Sequence, residues 1–122
     1  MTGLTRYTSN GVEGVFSTHA AVDEATGDVV LTVQGEIDFS TAEEFDALLG
    51  RALDDARRRL VVDLRALSFL DSTGLSTILR QDRRARAAGR EFIVVKGPAQ
   101  IRRVFTLTGV SELLTMVDEP PD

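Results

Sequence analysis

The residues best suited to chemistry in this 122-residue chain form one short run, Asp71-Ser72-Thr73-Gly74, where a carboxylate, two hydroxyls and a glycine precede a helical pattern. A Ser there could act as a nucleophile, cap a helix or accept a phosphoryl group. Nucleophilic catalysis needs a base beside it, and His19, the only His, lies in a strand-like run away from the tetrapeptide. A hydrolase built on Ser72 therefore lacks a partner for its nucleophile. Neighbouring acids such as Glu43-Glu44 and Asp54-Asp55 diverge by about 100° on a helix and build no shared metal or acid-base site. The chain has no Cys, no glycine-rich phosphate loop ahead of Lys and Ser or Thr, and no dinucleotide fingerprint. The reading is a protein that is not an enzyme, with no catalytic residue, metal or cofactor assigned.

Capping is the default role for Asp71 or Ser72 before a helix that begins near Thr73. The same placement puts a hydroxyl at the positive end of a helix, where free amides and the macrodipole favour an added phosphate by about 0.3–1 kcal/mol. Gly74 adds no side chain, so it is expected to let a partner's active site approach the backbone.

The elements that must hold this run follow from periodicity. Val15 to Val22 and Val29 to Ile37 read as strands joined at Thr26-Gly27-Asp28, a hairpin. Ser40-Thr41-Ala42-Glu43 reads as a capping box, ahead of a helix with Phe45, Leu48, Leu49, Ala52, Leu53 and Ala56 on one face. Leu60 to Leu64 is a short buried strand. Leu75, Ile78, Leu79 and Ala85 mark a second helix stopped by Gly89, and Phe92 to Val95 is a strand buried on both faces. Pro98 opens a third helix with Ile101, Val104 and Phe105, stopped by Gly109, and Leu113 to Val117 is a last short strand. The pattern is α/β: a mixed sheet of about four to five strands, an antiparallel hairpin feeding parallel strands, with helices packed on it. Loops that follow parallel strands share one rim of such a sheet, so Asp38 and Ser72 are expected to meet there.

Composition bounds the rest. The chain is 43% hydrophobic and 27% charged, the make-up of one globular domain. Residues 1–14 are polar and read as a flexible leader, 15–117 as the folded domain and 118–122 as a tail. No apolar run approaches a membrane span and no signal core precedes the domain, so a soluble cytoplasmic protein is expected, with no membrane partner. The formal charge of -5 opposes phosphate polyanions, so nucleic acid is not an expected partner. Arg57 to Arg59 and Arg83, Arg84 and Arg86 stand beside acids such as Asp54, Asp55 and Asp82 and read as solvated helix faces or ends.

Three segments at matching spacing resemble a known family: Gly35-Glu36-Ile37-Asp38, the strand Leu60 to Leu64 followed by Ser68-Phe69-Leu70-Asp71-Ser72-Thr73-Gly74-Leu75, and Val104-Phe105-Thr106-Leu107-Thr108-Gly109. Together they are similar to the bacterial anti-sigma factor antagonists of the STAS family, over about Val15 to Val117. The resemblance implies a partner-switching protein. Its unmodified form would bind an anti-sigma factor, often itself a Ser/Thr kinase, and so release a sigma factor; phosphorylation would end binding and a Ser/Thr phosphatase would restore it. It implies Ser72 as the phosphoacceptor, with Thr73 as the alternative, and a partner-binding surface made of Asp38, Ser40, Asp71, Ser72, Thr73 and Gly74. A monomer or weak dimer is expected. The competing readings are a STAS scaffold or ligand-sensing module that phosphorylation does not regulate, and the tail of an anion transporter, for which no membrane span accompanies the chain.

Overall fold

The computed structural model describes the backbone of residues 4–10 and all of residues 15–121. Its elements run β1 (Leu4–Asn10), β2 (Phe16–Asp23), β3 (Asp28–Ile37), α1 (Ala42–Asp55), β4 (Arg59–Leu70), α2 (Ser72–Ala87), β5 (Glu91–Val95), α3 (Ala99–Leu107), a 3-10 turn (Val110–Glu112) and β6 (Thr115–Val117). They form one six-stranded sheet in the order β1-β2-β3-β4-β5-β6. The first two pairings are antiparallel and the remaining three parallel. The expected hairpin and parallel strands are β2 to β6. The expectation of a flexible leader is corrected over Leu4–Asn10, which pairs with β2 from Leu4↔Asp23 to Asn10↔Ser17, all of that strand but Phe16. Thr and Tyr suit a strand, and a backbone ladder needs little apolar content to form at an edge. The leader's remaining residues, 1–3 and 11–14, lie outside the described residues.

Because successive parallel strands are also neighbours, right-handed crossovers all step in one direction and deliver every helix to the same face. The core shows this. Phe45, Leu49 and Leu53 of α1, Leu75 and Ile78 of α2, and Ile101 and Phe105 of α3 pack with Leu31, Leu60, Val62 and Leu64 in one cluster. Among the described residues the other face carries a small set, Val61, Ile93 and Val95 with Val30 and Val117 against them. Phe92 to Val95 is accordingly buried on both faces. Gly89 and Gly109 terminate α2 and α3 at φ of 72° and 78°, values a glycine adopts without steric cost.

β4 is longer than the expected Leu60 to Leu64, and the extra length matters for the site. Its pairing with β3 passes from Thr32↔Asp63 to Gln34↔Ala66, and again from Gly35↔Leu67 to Glu36↔Phe69, so β4 twice carries one residue more than its neighbour. Each bulge is closed by a side chain of β4 itself. The Asp63 carboxylate accepts the Arg65 N–H at 3.1 Å, and the Ser68 hydroxyl donates to the Gly35 carbonyl at 3.0 Å. The bulges bend the strand end, and Leu70 arrives beside Ile37.

Candidate functional site

Two loops meet on the rim reached by β3 and β4, as expected for Asp38 and Ser72. Asp71 joins them. Its N–H donates to the Ile37 carbonyl at 3.2 Å, and one carboxylate oxygen, Oδ2, accepts the Phe39 N–H at 3.1 Å. The other oxygen, Oδ1, caps α2 by accepting Thr73 N–H at 3.0 Å and Gly74 N–H at 3.1 Å. One side chain thus fixes both the start of α2 and the turn after β3. The amides expected to be free for a phosphate are therefore taken by Asp71 at Thr73 and Gly74; the macrodipole remains.

Ser72 is the first residue of α2 and is exposed, and among the described residues its hydroxyl has no hydrogen-bond partner. Thr73 is exposed beside it. Gly74 is buried, which corrects the expectation that it opens the backbone to a partner. A Cβ there would lie 2.6 Å from Leu70 Cδ1 and 2.8 Å from Ile37 Cγ2, so a larger residue would force these side chains beneath the helix start to shift.

The capping box expected at Ser40 is not formed. Thr41 is the N-cap of α1 and makes no side-chain cap bond. The turn is closed by Asp38 instead: its Oδ1 accepts Ser40 N–H at 2.9 Å, Ser40 O–H at 2.6 Å and Thr41 N–H at 3.2 Å, while the buried Thr41 hydroxyl accepts Asp38 N–H at 2.9 Å. A carboxylate two or three residues ahead competes successfully for the hydroxyl and amides a capping box would use. The Ser40 hydroxyl, then its N–H and that of Thr41, hold the Asp38 carboxyl below the usual carboxylate range, so Asp38 is ionised at neutral pH.

Phe39, which follows Asp38, has no role among the expected site residues. It is the most exposed large apolar residue described, at 79%. The signal was present, since Phe39 falls after the inward Ile37 and outside the apolar face of α1. It borders a cleft of about 320 Å³ between α1 and α2, lined also by Glu43, Asp46, Thr73, Ser76 and Arg80. The rim thus presents an unpartnered hydroxyl, a bare aromatic ring and two carboxylates committed to backbone amides. Among the described residues no cluster of His, Cys, Asp and Glu could hold a metal ion, and no helix is long and apolar enough to cross a membrane. His19 is exposed on β2, outside this rim.

The described residues form one α/β sheet covered by helices on one face, with an exposed serine at the start of α2. The STAS domain profile matches residues 19–120, and the chain belongs to that family. It is 29% identical over 82 residues to the anti-sigma-B factor antagonist of Staphylococcus aureus, covering 67% of this chain and 76% of the relative. Among solved structures it is similar to an anti-sigma factor antagonist from Mycobacterium paratuberculosis, with a TM-score of 0.64 at 25% identity over 96% of this chain and 87% of the other. It is also similar to the anti-sigma factor antagonist SpoIIAA in its unphosphorylated form, with a TM-score of 0.62 at 26% identity over 75% and 81% of the two chains. The phosphorylated form of the Bacillus protein aligns with a TM-score of 0.57 at 25% identity over 77% and 86%.

Proposed function

We propose that this protein is an anti-sigma factor antagonist. Its unmodified form binds an anti-sigma factor of the Ser/Thr kinase type and so releases a sigma factor; phosphorylation of Ser72 ends that binding, and a Ser/Thr phosphatase restores it. The observation that carries the reading is the exposed, unpartnered Ser72 hydroxyl at the first position of α2, beside Asp71 and the Asp38–Phe39 turn. The existence of SpoIIAA in both unphosphorylated and phosphorylated forms supports it. Function rests on recognition rather than catalysis by this chain, and its charge of -5 disfavours nucleic acid.

In the transfer, Ser72 Oγ attacks the γ-phosphorus of ATP, the bond to the β–γ bridging oxygen breaks, ADP departs and the hydroxyl proton passes to a base of the kinase. The product carries about 1.5 to 2 added negative charges next to Asp71 and Asp38. A partner that packed over Phe39 would then have to desolvate a phosphate beside two carboxylates, at a cost of several kcal/mol and orders of magnitude in affinity.

The test is phosphate incorporation, read by mass spectrometry, after incubation with ATP and a candidate anti-sigma factor kinase, paired with binding by calorimetry. Ser72→Ala is expected to take up no phosphate and to bind, and Ser72→Asp to bind at least tenfold more weakly. Incorporation into Ser72→Ala at the parental level would move the acceptor to Thr73 or elsewhere.

A further inference from the structure

The chain changes character after β5. Between Glu91 and Glu112 there is no Asp or Glu, although acids outnumber bases 19 to 14 overall, and this stretch carries Lys96, Arg102 and Arg103. Elsewhere most arginines are engaged: Arg58 and Arg59 with Asp28, Arg65 with Asp63, Arg80 with Asp46, Arg84 with Asp54 and Arg86 with Asp82. Arg102 and Arg103 are exposed and their guanidinium groups have no ion pair or hydrogen bond among the described residues. Among the described residues the Lys96 ammonium has one ion pair, with Asp118 at 3.5 Å, and that Asp side chain is 83% exposed.

These cations border a cleft of about 460 Å³ formed by α3, the 3-10 turn and β6. Phe105, Leu107 and Met116 contribute its apolar lining, and Thr106 and Ser111 are among its polar groups. Phe105 is buried beneath it, while Leu107 is 77% exposed at its edge. A volume of this size falls in the range of small-molecule sites, which pair an apolar lining with a few polar groups that orient the ligand. Two arginines that each line the cleft suit a carboxylate or phosphate, and an exposed leucine in the same lining suits a hydrocarbon body.

We propose that this cleft binds a small amphipathic anion, an acidic headgroup on an apolar chain, with Arg102, Arg103 and Lys96 at the headgroup and Leu107, Phe105 and Met116 along the chain. None of the residues lining it belongs to the 37–42 or 71–75 segments, and the inference does not depend on the function proposed for Ser72.

Octanoate is a suitable probe, titrated into the ¹⁵N-labelled full chain with 1-octanol and acetate as partial ligands. Octanoate is expected to give saturable shifts confined to residues 96–116, with octanol and acetate each at least tenfold weaker. The double variant Arg102→Gln, Arg103→Gln should fold as the parent does, by its amide spectrum, and lose at least tenfold in octanoate affinity; Leu107→Ser should also weaken it. Absence of saturation, unchanged affinity in the double variant, or equal binding of octanol would overturn the proposal. Arginine-dependent co-sedimentation with phosphatidylglycerol vesicles, without saturable octanoate binding, would overturn it in favour of a bilayer surface.

Discussion

At the scale of single residues, Gly74 shows how a helix start can be governed by what lies under it. Alanine favours a helix over glycine by about 1 kcal/mol in an exposed interior position, but here the added methyl would meet Leu70 Cδ1 and Ile37 Cγ2 well inside contact distance. Overpacking of this kind costs about 1–3 kcal/mol, so Gly74→Ala is expected to be destabilised on balance, read as a lower urea midpoint with an unchanged m-value. No local pattern announces this, because the collision is between segments that only folding brings together. Asp71 separates two roles in one side chain. Asp71→Asn keeps an acceptor for the Thr73 and Gly74 amides but presents an NH₂ group where Oδ2 accepted the Phe39 N–H. Since Asn is as good a cap as Asp, the change should leave α2 in place while releasing the Phe39 turn. Asp71→Ala loses both roles and about 0.5–2 kcal/mol with the cap. Urea unfolding together with the Phe39 amide shift distinguishes them: both variants move the amide, and only Ala loses the helix-cap stability.

At the scale of elements, α2 and α3 could be read because their stops are chemical. Gly89 and Gly109 sit where a left-handed residue ends each helix, and Phe92 to Val95 could be read because an unbroken apolar run needs cover on both faces. The second half of β4 could not, since each bulge shifts the in-out alternation by one residue: Arg65 and Ala66 follow each other outward, as do Ser68 and Phe69. That is also why the periodicity marks β4 only as far as Leu64. β1 escaped for a different reason, being joined to the sheet through its backbone ladder with β2. Asp28 pins the opposite ends of β3 and β4. It accepts Arg58 Nε at 2.8 Å and Arg58 Nη2 at 2.7 Å, and Arg59 Nη2 at 3.1 Å. The Arg58 hydrogen bonds, with the charges of both arginines, hold its carboxyl below 3.8. A carboxyl lowered on folding contributes stability that is complete above its unfolded value and is lost as pH falls through the folded one. With Arg58 half exposed, the contribution is about 0.5–1 kcal/mol. Asp28→Asn should therefore be less stable than the parent by about that amount at neutral pH, and the gap should close below pH 3.8 as Asp28 itself is protonated. Urea midpoints across that range check it.

At the scale of the whole molecule, the proposed phosphorylation site is separated from the material that holds the fold together. The helix-covered core runs through Leu31, Val33, Leu60, Val62, Leu64, Phe92 and Val94 of the central strands. Ser72 stands beyond the end of that sheet, exposed. A phosphate there would take the formal charge from -5 to about -7, yet it displaces no buried group and opens no strand pairing. Its nearest backbone dependants are the Asp71 bonds to Ile37, Phe39, Thr73 and Gly74. The core bonds are stabilised by burial that the modification does not touch, so their opening free energy should not move. Hydrogen exchange on the phosphorylated and unmodified chains is expected to differ only over residues 37–42 and 71–75, with protection in 29–33, 60–64 and 92–95 the same in both. Loss of protection across those strands on phosphorylation would mean that the modification refolds the domain, and that partner affinity changes through the sheet rather than through charge placed at its edge.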